Sequence, residues 1–265
     1  MGEEAVAREA SMEQKAILAR KAGIDAQRRS RLLALGGAVV LVLVLGVLYF
    51  AVGRPVQVLP RGQAVPAFNM VDHRGTDYLY PDDAAPVNVY VVAAAWDKPA
   101  VDAVMPLLEE MDALVAEQGW EGLVRVAWIT PDPERDDVAA MAALAERVPL
   151  PERLDVALLT GAPVTTRLVV GAGFGIYVGT TQAAQNGEPG SGRQAPGMAQ
   201  APAIVYEPAL VLVDDLGYVR ARYEARKLAG SRLSRDLGLL VREAQADGAS
   251  RLVYEAAHLF LCYPR

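Results

Sequence analysis

An uninterrupted apolar stretch near the N-terminus is the feature that most constrains the fold of this chain. Residues 32–52 read LLALGGAVVLVLVLGVLYFAV and contain no charged side chain. At about 1.5 Å of rise per residue, a helix of this length crosses a hydrocarbon core of roughly 30 Å. A cleavable signal peptide is the alternative, but its apolar part spans only about 7–15 residues after a short basic segment. We therefore predict an uncleaved transmembrane helix over residues 32–53.

Positive charge sets the expected orientation of this helix. Two cations, Arg54 and Arg61, follow the stretch closely, whereas five lie within the twelve residues before it: Arg20, Lys21, Arg28, Arg29 and Arg31. Cytoplasmic flanks carry the excess of lysine and arginine. The sequence predicts a single-pass protein of the inner (cytoplasmic) membrane, with a partly helical cytoplasmic leader over residues 1–31 and a periplasmic C-terminal domain.

The part beyond the apolar stretch is acidic. Residues 54–265 carry 19 lysine and arginine residues against 27 aspartate and glutamate residues, a net charge of −8. This balance argues against nucleic acid as a partner, because nucleic-acid binding needs a basic surface. A basic soluble electron carrier is a possible partner, since an acidic surface attracts it.

Predicted strands and helices alternate in this acidic part, which indicates an α/β layer fold with parallel crossovers. Continuous apolar runs are typical of buried central strands, and apolar residues at helical spacing predict the helices. We expect a linker over residues 54–64, a domain over 65–246 and an apolar extension over 247–265. The main elements are strands at 87–95 and 123–130, helices at 101–119, 136–147 and 228–245, and a hairpin at 210–223.

Four segments of the domain carry further motifs: residues 65–75 (VPAFNMVDHRG), 129–136 (ITPDPERD), 174–178 (FGIYV) and 210–223 (LVLVDDLGYVRARY). In this order they resemble the Sco/SenC family of membrane-anchored thioredoxin-fold copper chaperones. The resemblance implies a thioredoxin-like (Sco-type) domain, with a central mixed sheet flanked by helices, after a single transmembrane helix.

The metal-binding residues of that family are missing here. The family places a C-x-x-x-C pair after the first central strand and a histidine before the closing hairpin, and these bind copper or exchange disulfides. The resemblance puts Lys98 and Asp102 at the cysteine positions and Tyr206 at the histidine position, or Glu207 if the register slips by one. We therefore expect no catalytic residue, no cofactor and no metal at this site.

Physical chemistry supports that expectation. Cu(I) prefers thiolate, thioether or imidazole ligands, and disulfide exchange needs a thiolate. Lys98 and Asp102 instead predict an i, i+4 salt bridge. Met70 and His73 are spaced like a copper-binding pair, but the resemblance puts Met70 on a core-facing strand and His73 in a turn, so ordinary packing is favoured. Four carboxylates suggest a hard-metal site, but a role in capping a helix N-terminus is favoured because they lie where a loop meets a helix: Asp132, Glu134, Asp136 and Asp137.

The C-terminal extension carries an apolar stripe that either packs on its own domain or docks on a partner. Its candidate partner contacts are Leu252, Leu259, Phe260 and Tyr263. His258 and Cys262 lie four residues apart in the same segment, and a packed tail is favoured over a metal site. Residues 180–203, rich in glutamine, glycine and proline, predict a surface loop.

Three functions fit these observations. We favour a non-catalytic structural or assembly subunit of a multi-subunit membrane electron-transfer complex, such as a respiratory oxidase, a quinol-oxidising complex or a photosynthetic reaction centre. Its partners would be the lipid bilayer and the other subunits. The alternatives are a copper chaperone with non-standard ligands and a thiol oxidoreductase that acts through Cys262, the only cysteine of the chain.

Overall fold

The computed structural model describes Arg28 and residues 30–49, 56–180 and 204–261. The chain forms two compact units, Met1–Pro55 and Val56–Arg265. In the first unit, helix α1 (Ser30–Leu48) has a mean hydropathy of 2.5 and none of it is buried. Its length and composition make it a candidate membrane span, and the predicted end of the span at residues 50–53 lies outside the described residues.

The second unit is built on a mixed seven-stranded sheet. Its strands are β1 (Phe68–Asp72), β2 (Asp77–Tyr80), β3 (Val87–Val92), β4 (Val124–Ile129), β5 (Asp155–Thr160), β8 (Ala209–Val213) and β9 (Val219–Glu224). They lie in the order β2-β1-β5-β4-β3-β8-β9. The pairs β3–β4 and β4–β5 are parallel, and the other pairs are antiparallel. Two short strands form a separate antiparallel pair, β6 (Val178–Thr180) and β7 (Ile204–Tyr206).

Helices cover the sheet, as the sequence predicts. They are α2 (Lys98–Gln118), α3 (Val138–Arg147), α4 (Pro163–Arg167), α5 (Gly230–Ala244) and α6 (Gly248–Leu261). Helix α4 continues into a π-helical turn at Leu168–Gly173, and a 3-10 turn at Ala225–Lys227 precedes α5. The expected mixed sheet with flanking helices is therefore confirmed.

Alternation along the central strands divides the core between the two faces of the sheet. Val89 and Val91 belong to the core on the face covered by α2, α3 and α5. Tyr90 and Val92 belong to the core on the opposite face, where Phe174 also lies. All five side chains are at most 1% exposed, because successive residues of a strand point to opposite faces and both faces are covered.

One predicted strand ends earlier in the structure than its sequence indicates. The apolar run predicted as a strand over 87–95 leaves the sheet after Val92, because the amides of Ala94 and Ala95 bond to side chains instead. In the FGIYV segment, only the last residue, Val178, belongs to a strand. Phe174, at the start of that segment, packs against Tyr90 with ring centroids 4.9 Å apart.

A buried ionic cluster joins the two ends of the domain. Arg220 on β9 has a fully buried side chain that pairs with Asp214 and Glu243, both at 2.8 Å. Its Nη2 also donates to the carbonyl oxygen of Leu59 at 2.7 Å. The Nε2 of His258 on α6 lies 2.7 Å from Glu243 Oε1. The cluster thus holds a residue of the predicted linker and a residue of the C-terminal extension against the sheet.

Glu243 makes the stability of this cluster dependent on pH. Burial opposes its ionisation, but hydrogen bonds from Arg220 and His258 outweigh burial and lower its pKa below the ordinary 4.5. A lowered folded-state pKa gives stability that is present above 4.5 and lost as the pH falls through the folded-state value. We expect the unfolding free energy of the native chain to fall more steeply below this pH than that of Glu243→Gln, measured by denaturant titration. Parallel pH profiles would contradict this expectation.

Candidate functional site

The loop between β3 and α2 meets the end of β7 at the place where the resemblance puts the missing ligands. The phenol of Tyr206 donates to Asp97 Oδ2 at 2.8 Å and accepts from the backbone N–H of Ala94 at 3.0 Å. Asp97 directly precedes Lys98, the first residue of α2. Segments more than 100 residues apart in the sequence therefore meet at one point.

Lys98 and Asp102 form the salt bridge that their spacing predicts. The Lys98 Nζ lies 2.6 Å from Asp102 Oδ2, and the two side chains are 80% and 59% exposed. An ion pair this exposed contributes only about 0.3–0.5 kcal/mol to stability. The pair links two residues of the first turn of α2. Its ammonium and carboxylate groups are both largely exposed to water.

Asp97 is the residue of this site that the sequence analysis did not single out. It is the N-cap of α2, and its Oδ1 accepts from the backbone N–H of Ala100 at 3.1 Å. Arg226 lies 3.6 Å from its other carboxylate oxygen. An aspartate shortly before a proline and an apolar periodic run is a helix start signal that could have identified the cap. Its contact with Tyr206 had no such signal.

Two of the four carboxylates predicted as helix caps have a different role. Asp137 does cap α3, with its Oδ1 accepting from Ala140 N–H at 2.9 Å. Asp136, only 2% exposed, instead accepts from the N–H of Ala95 at 2.7 Å and from the hydroxyl of Thr130 at 2.6 Å. Burial outweighs these hydrogen bonds and raises the pKa of Asp136. The capping prediction was wrong for Asp136, because the loop before α2 has unpaired amides that need an acceptor.

Asp132 also holds the loop before α2. Its carboxylate accepts from Trp96 Nε1 at 3.1 Å, and Arg135 lies 3.6 Å from the same oxygen. The Arg135 guanidinium also lies 5.4 Å from the centroid of the Trp96 ring. Burial raises the pKa of Asp132 despite these contacts. Asp132 therefore serves the loop rather than a helix end, so the capping prediction was wrong here too.

The side chains at this site are poor ligands for a soft metal. Burial raises the pKa of Tyr206, so its phenol stays protonated at neutral pH and acts as a hydrogen-bond donor. Lys98 offers an ammonium, which has no lone pair for a metal. Within residues 28, 30–49, 56–180 and 204–261, no cluster of three or more histidine, cysteine, aspartate or glutamate residues is arranged to hold a metal ion. The hydrogen bonds of Tyr206 and Asp97 can instead fix the loop before α2 and the start of α2 in place.

Met70 and His73 do not converge on an open site. Met70 is 1% exposed in the core beneath β1. The His73 Nδ1 accepts from the backbone N–H of Leu158 at 3.3 Å, and burial lowers the pKa of its ring. The methionine sulfur is thus enclosed by packing, while one ring nitrogen of the histidine is bound to a neighbouring strand.

The predicted partner contacts of the extension fall mostly outside the described side chains. Leu252 lies on α6 and is 71% exposed. Leu259 and Phe260 lie within the bounds of α6, but their side chains are not described. Tyr263 and Cys262 lie outside the described residues. The extension begins as a helix whose Ala257 is fully buried, so one of its faces packs on the domain.

Removing the Tyr206 hydroxyl isolates the contact between β7 and α2. We expect Tyr206→Phe to lower the unfolding free energy by about 1–3 kcal/mol, because Asp97 and the Ala94 amide both lose a half-buried hydrogen-bond partner. Tyr177→Phe is the matched control, since the Tyr177 side chain is 78% exposed. Denaturant unfolding of the full chain in detergent measures both. If the two substitutions lower the unfolding free energy equally, the hydrogen bonds of the Tyr206 hydroxyl do not stabilise the domain.

Solved structures of Sco proteins share this fold. The second unit matches the SCO1/SenC family lipoprotein from Bacillus anthracis with a TM-score of 0.53 and 17% identity, over 68% of this chain and 96% of that chain. Apo Sco1 from Thermus thermophilus gives 0.51 and 18%, over 69% and 95%. Arabidopsis thaliana ScoI with copper bound gives 0.52 and 14%, over 68% and 99%.

Sequence comparisons add no closer relative. No protein-family model matches the sequence, and no curated protein matches it. Identities below one-fifth speak for the fold alone, and the fold is the one that the four sequence segments indicate. The second unit of this chain therefore has the Sco thioredoxin-like fold.

Proposed function

We propose that this protein is a Sco-like domain without copper or redox chemistry, which serves as a structural or assembly subunit of a membrane electron-transfer complex. A respiratory oxidase, a quinol-oxidising complex and a photosynthetic reaction centre are the candidate complexes. The observation that carries the proposal is that the residues at the presumed ligand positions bond to this chain's own groups. Lys98 pairs with Asp102, and Tyr206 bonds to Asp97 and to the loop amide.

The retained fold supports a role in shape and attachment. A copper site needs two thiolates and an imidazole held open to receive the metal, as soft ligands bind Cu(I) best. Here Lys98 and Asp102 pair within the first turn of α2, and Tyr206 ties β7 to the loop before α2. The sheet, the flanking helices and the closing hairpin are all present. One fold can host different functions, so this fold is compatible with a role in contacts that needs no chemistry at the ligand positions.

Membrane attachment belongs to the same proposal. Helix α1 is a candidate span, and the cations that precede it favour a cytoplasmic N-terminus. The Sco-like domain would then lie in the periplasm, beside the extracytoplasmic parts of the other subunits. The exposed Leu252 on α6 is the described member of the proposed partner contacts.

Native membranes provide the test. We expect the chain, solubilised in mild detergent, to migrate with a multi-subunit complex at a fixed ratio and to lose that migration when residues 32–53 are exchanged for an unrelated span. Exchange of Lys98 and Asp102 for alanine is the matched control and should leave the migration unchanged, because the pair is exposed. A single partner-free species from native membranes would contradict the proposal.

The two alternatives receive less support from the described residues. A chaperone with non-standard ligands would need Met70 and His73, whose positions in the core and against β5 do not form an open pair. An anaerobic Cu(I) titration of the full chain tests it directly. Action through Cys262 predicts that Cys262→Ser abolishes the cellular role, whereas a subunit held by shape tolerates this substitution.

A further inference from the structure

A cavity of about 760 Å³ lies between the end of β9, strand β7 and the start of α5. It is distinct from the Lys98 and Asp102 pair, although Tyr206 contributes to its wall. Its lining combines apolar and cationic side chains: Ile176, Tyr177, Val205, Arg222, Lys227 and Arg232. The proposed function makes no use of this lining.

The charge around the cavity is opposite to that of the domain. Residues 222–235 contain five cations and a single carboxylate, within a region 54–265 whose net charge is −8. Four of these cations have largely or partly exposed side chains: Arg226 at 46%, Lys227 at 77%, Arg232 at 64% and Arg235 at 63%. A basic patch on an acidic surface directs an acidic partner to one place.

Neighbouring carboxylates neutralise this patch only in part. Glu224 pairs with Lys227, and Glu207 lines the same cavity. Asp236 is 2% exposed, and it accepts from the Tyr223 hydroxyl and from Arg235. Asp97 pairs with Arg226 in the same way. Among the residues that line the cavity, the three cations Arg222, Lys227 and Arg232 outnumber the two carboxylates Glu207 and Glu224, which leaves a surplus of one positive charge.

Exposed apolar side chains lie beside the cations. Tyr177 is 78% exposed and Val205 is 48% exposed, and both line the cavity. The Arg232 guanidinium lies 5.2 Å from the centroid of the Tyr223 ring, which holds it at the rim. Tyrosine and arginine are the side chains most enriched at protein–protein interfaces and among their energetic hot spots. This composition fits a protein segment better than a small inorganic anion.

We propose that this cavity docks an acidic segment of a neighbouring protein subunit that carries apolar side chains. The inference rests on the proposed function, because it assigns the surface through which the domain contacts its complex. Carboxylates of the segment would pair with Lys227 and Arg232, and its apolar side chains would cover Tyr177 and Val205. The proposal concerns a different surface from the extension, whose described exposed contact is Leu252.

Site-specific photo-crosslinking in native membranes tests the docking. A photoreactive phenylalanine analogue replaces Tyr177 in the full chain, and the same analogue at Leu79 is the control. Leu79 is 43% exposed on β2, at the opposite edge of the sheet from β9. We expect the Tyr177 position to give a crosslink whose sequenced target is rich in aspartate and glutamate, and the Leu79 position not to crosslink that target.

Charge variants decide whether the patch recognises the target. We expect Lys227→Glu with Arg232→Glu to lower the yield of this crosslink by at least about tenfold, because each reversal places like charges together. Lys227→Gln with Arg232→Gln should lower it less and guards against misfolding of the reversed variant. Arg74→Glu, a charge reversal at the β1–β2 turn, is the matched control and should leave the yield unchanged.

Several results would overturn the inference. These are a crosslink to a lipid, to another copy of this chain or to a neutral or basic segment, an unchanged yield in both charge variants, and no crosslink at all. Whether the chain migrates with a multi-subunit complex is measured separately, on the same membranes solubilised in mild detergent. A chain that migrates with a complex but gives one of these results refutes the docking site alone, whereas a chain that migrates alone refutes the proposed function as well.

Discussion

Restoring the three ligand types should give this protein a Cu(I) site. We expect the triple variant Lys98→Cys, Asp102→Cys, Tyr206→His to bind one Cu(I) with a dissociation constant at least about a thousandfold below that of the native chain. The thiols would stand one helical turn apart at the start of α2, and the histidine would enter from β7, beside Asp97. Anaerobic competition with a chromophoric Cu(I) chelator measures the affinity.

A variant without thiols separates copper binding from a general effect of substitution. Lys98→Ser, Asp102→Ser, Tyr206→His carries the same imidazole and removes the same salt bridge, but it should bind no tighter than the native chain. Failure of a correctly folded triple variant to bind would mean that these three positions do not correspond to the ligand positions of Sco proteins. Tight binding by the native chain would contradict the account more deeply.

Removing the central charge of the buried cluster should cost more stability than any exposed substitution. We expect Arg220→Met to lower the unfolding free energy by about 3–5 kcal/mol, because it leaves two carboxylates without their buried partner. The Arg220 side chain is fully buried, and those of Asp214 and Glu243 are 6% and 13% exposed. Denaturant unfolding of the full chain in detergent gives the difference.

Two further variants control this measurement. Arg153→Met removes a cation that is 57% exposed and lies 3.5 Å from Asp112, so it should cost less than about 1 kcal/mol. Adding Glu243→Gln to Arg220→Met should recover part of the loss, since it removes one of the two carboxylates that have lost their buried arginine partner. Two results would show that the cluster does not stabilise the domain. One is an Arg220→Met variant with the same unfolding free energy as the native chain, and the other is a double variant that is less stable than Arg220→Met alone.

The sequence predicts those parts of the structure that depend on local spacing. The Lys98–Asp102 salt bridge follows from residues four apart on a helix, and the central strands β3 and β4 follow from their apolar runs. The apolar stretch likewise predicts α1. Such features can be predicted from the residue spacing within one element and from the order of the elements along the chain.

Contacts between distant segments could not be derived in the same way. Tyr206 and Asp97 are 109 residues apart, and Arg220 and Leu59 are 161 residues apart. Composition does not reveal such pairs, because a tyrosine or an arginine has many potential partners. Asp136 illustrates the limit, since a carboxylate before a helix predicts a cap, while the tertiary structure gives that role to Asp137 and uses Asp136 elsewhere.

The central claim is that this domain acts through its shape and its attachment, without chemistry at the former ligand positions. The most direct measurement is the amount and activity of the associated complex in membranes from cells that lack the protein and express a variant with Lys98→Ala, Asp102→Ala and Cys262→Ser. The account predicts that this variant restores both quantities as fully as the native chain does. A variant that folds and inserts normally but fails to restore them would contradict it.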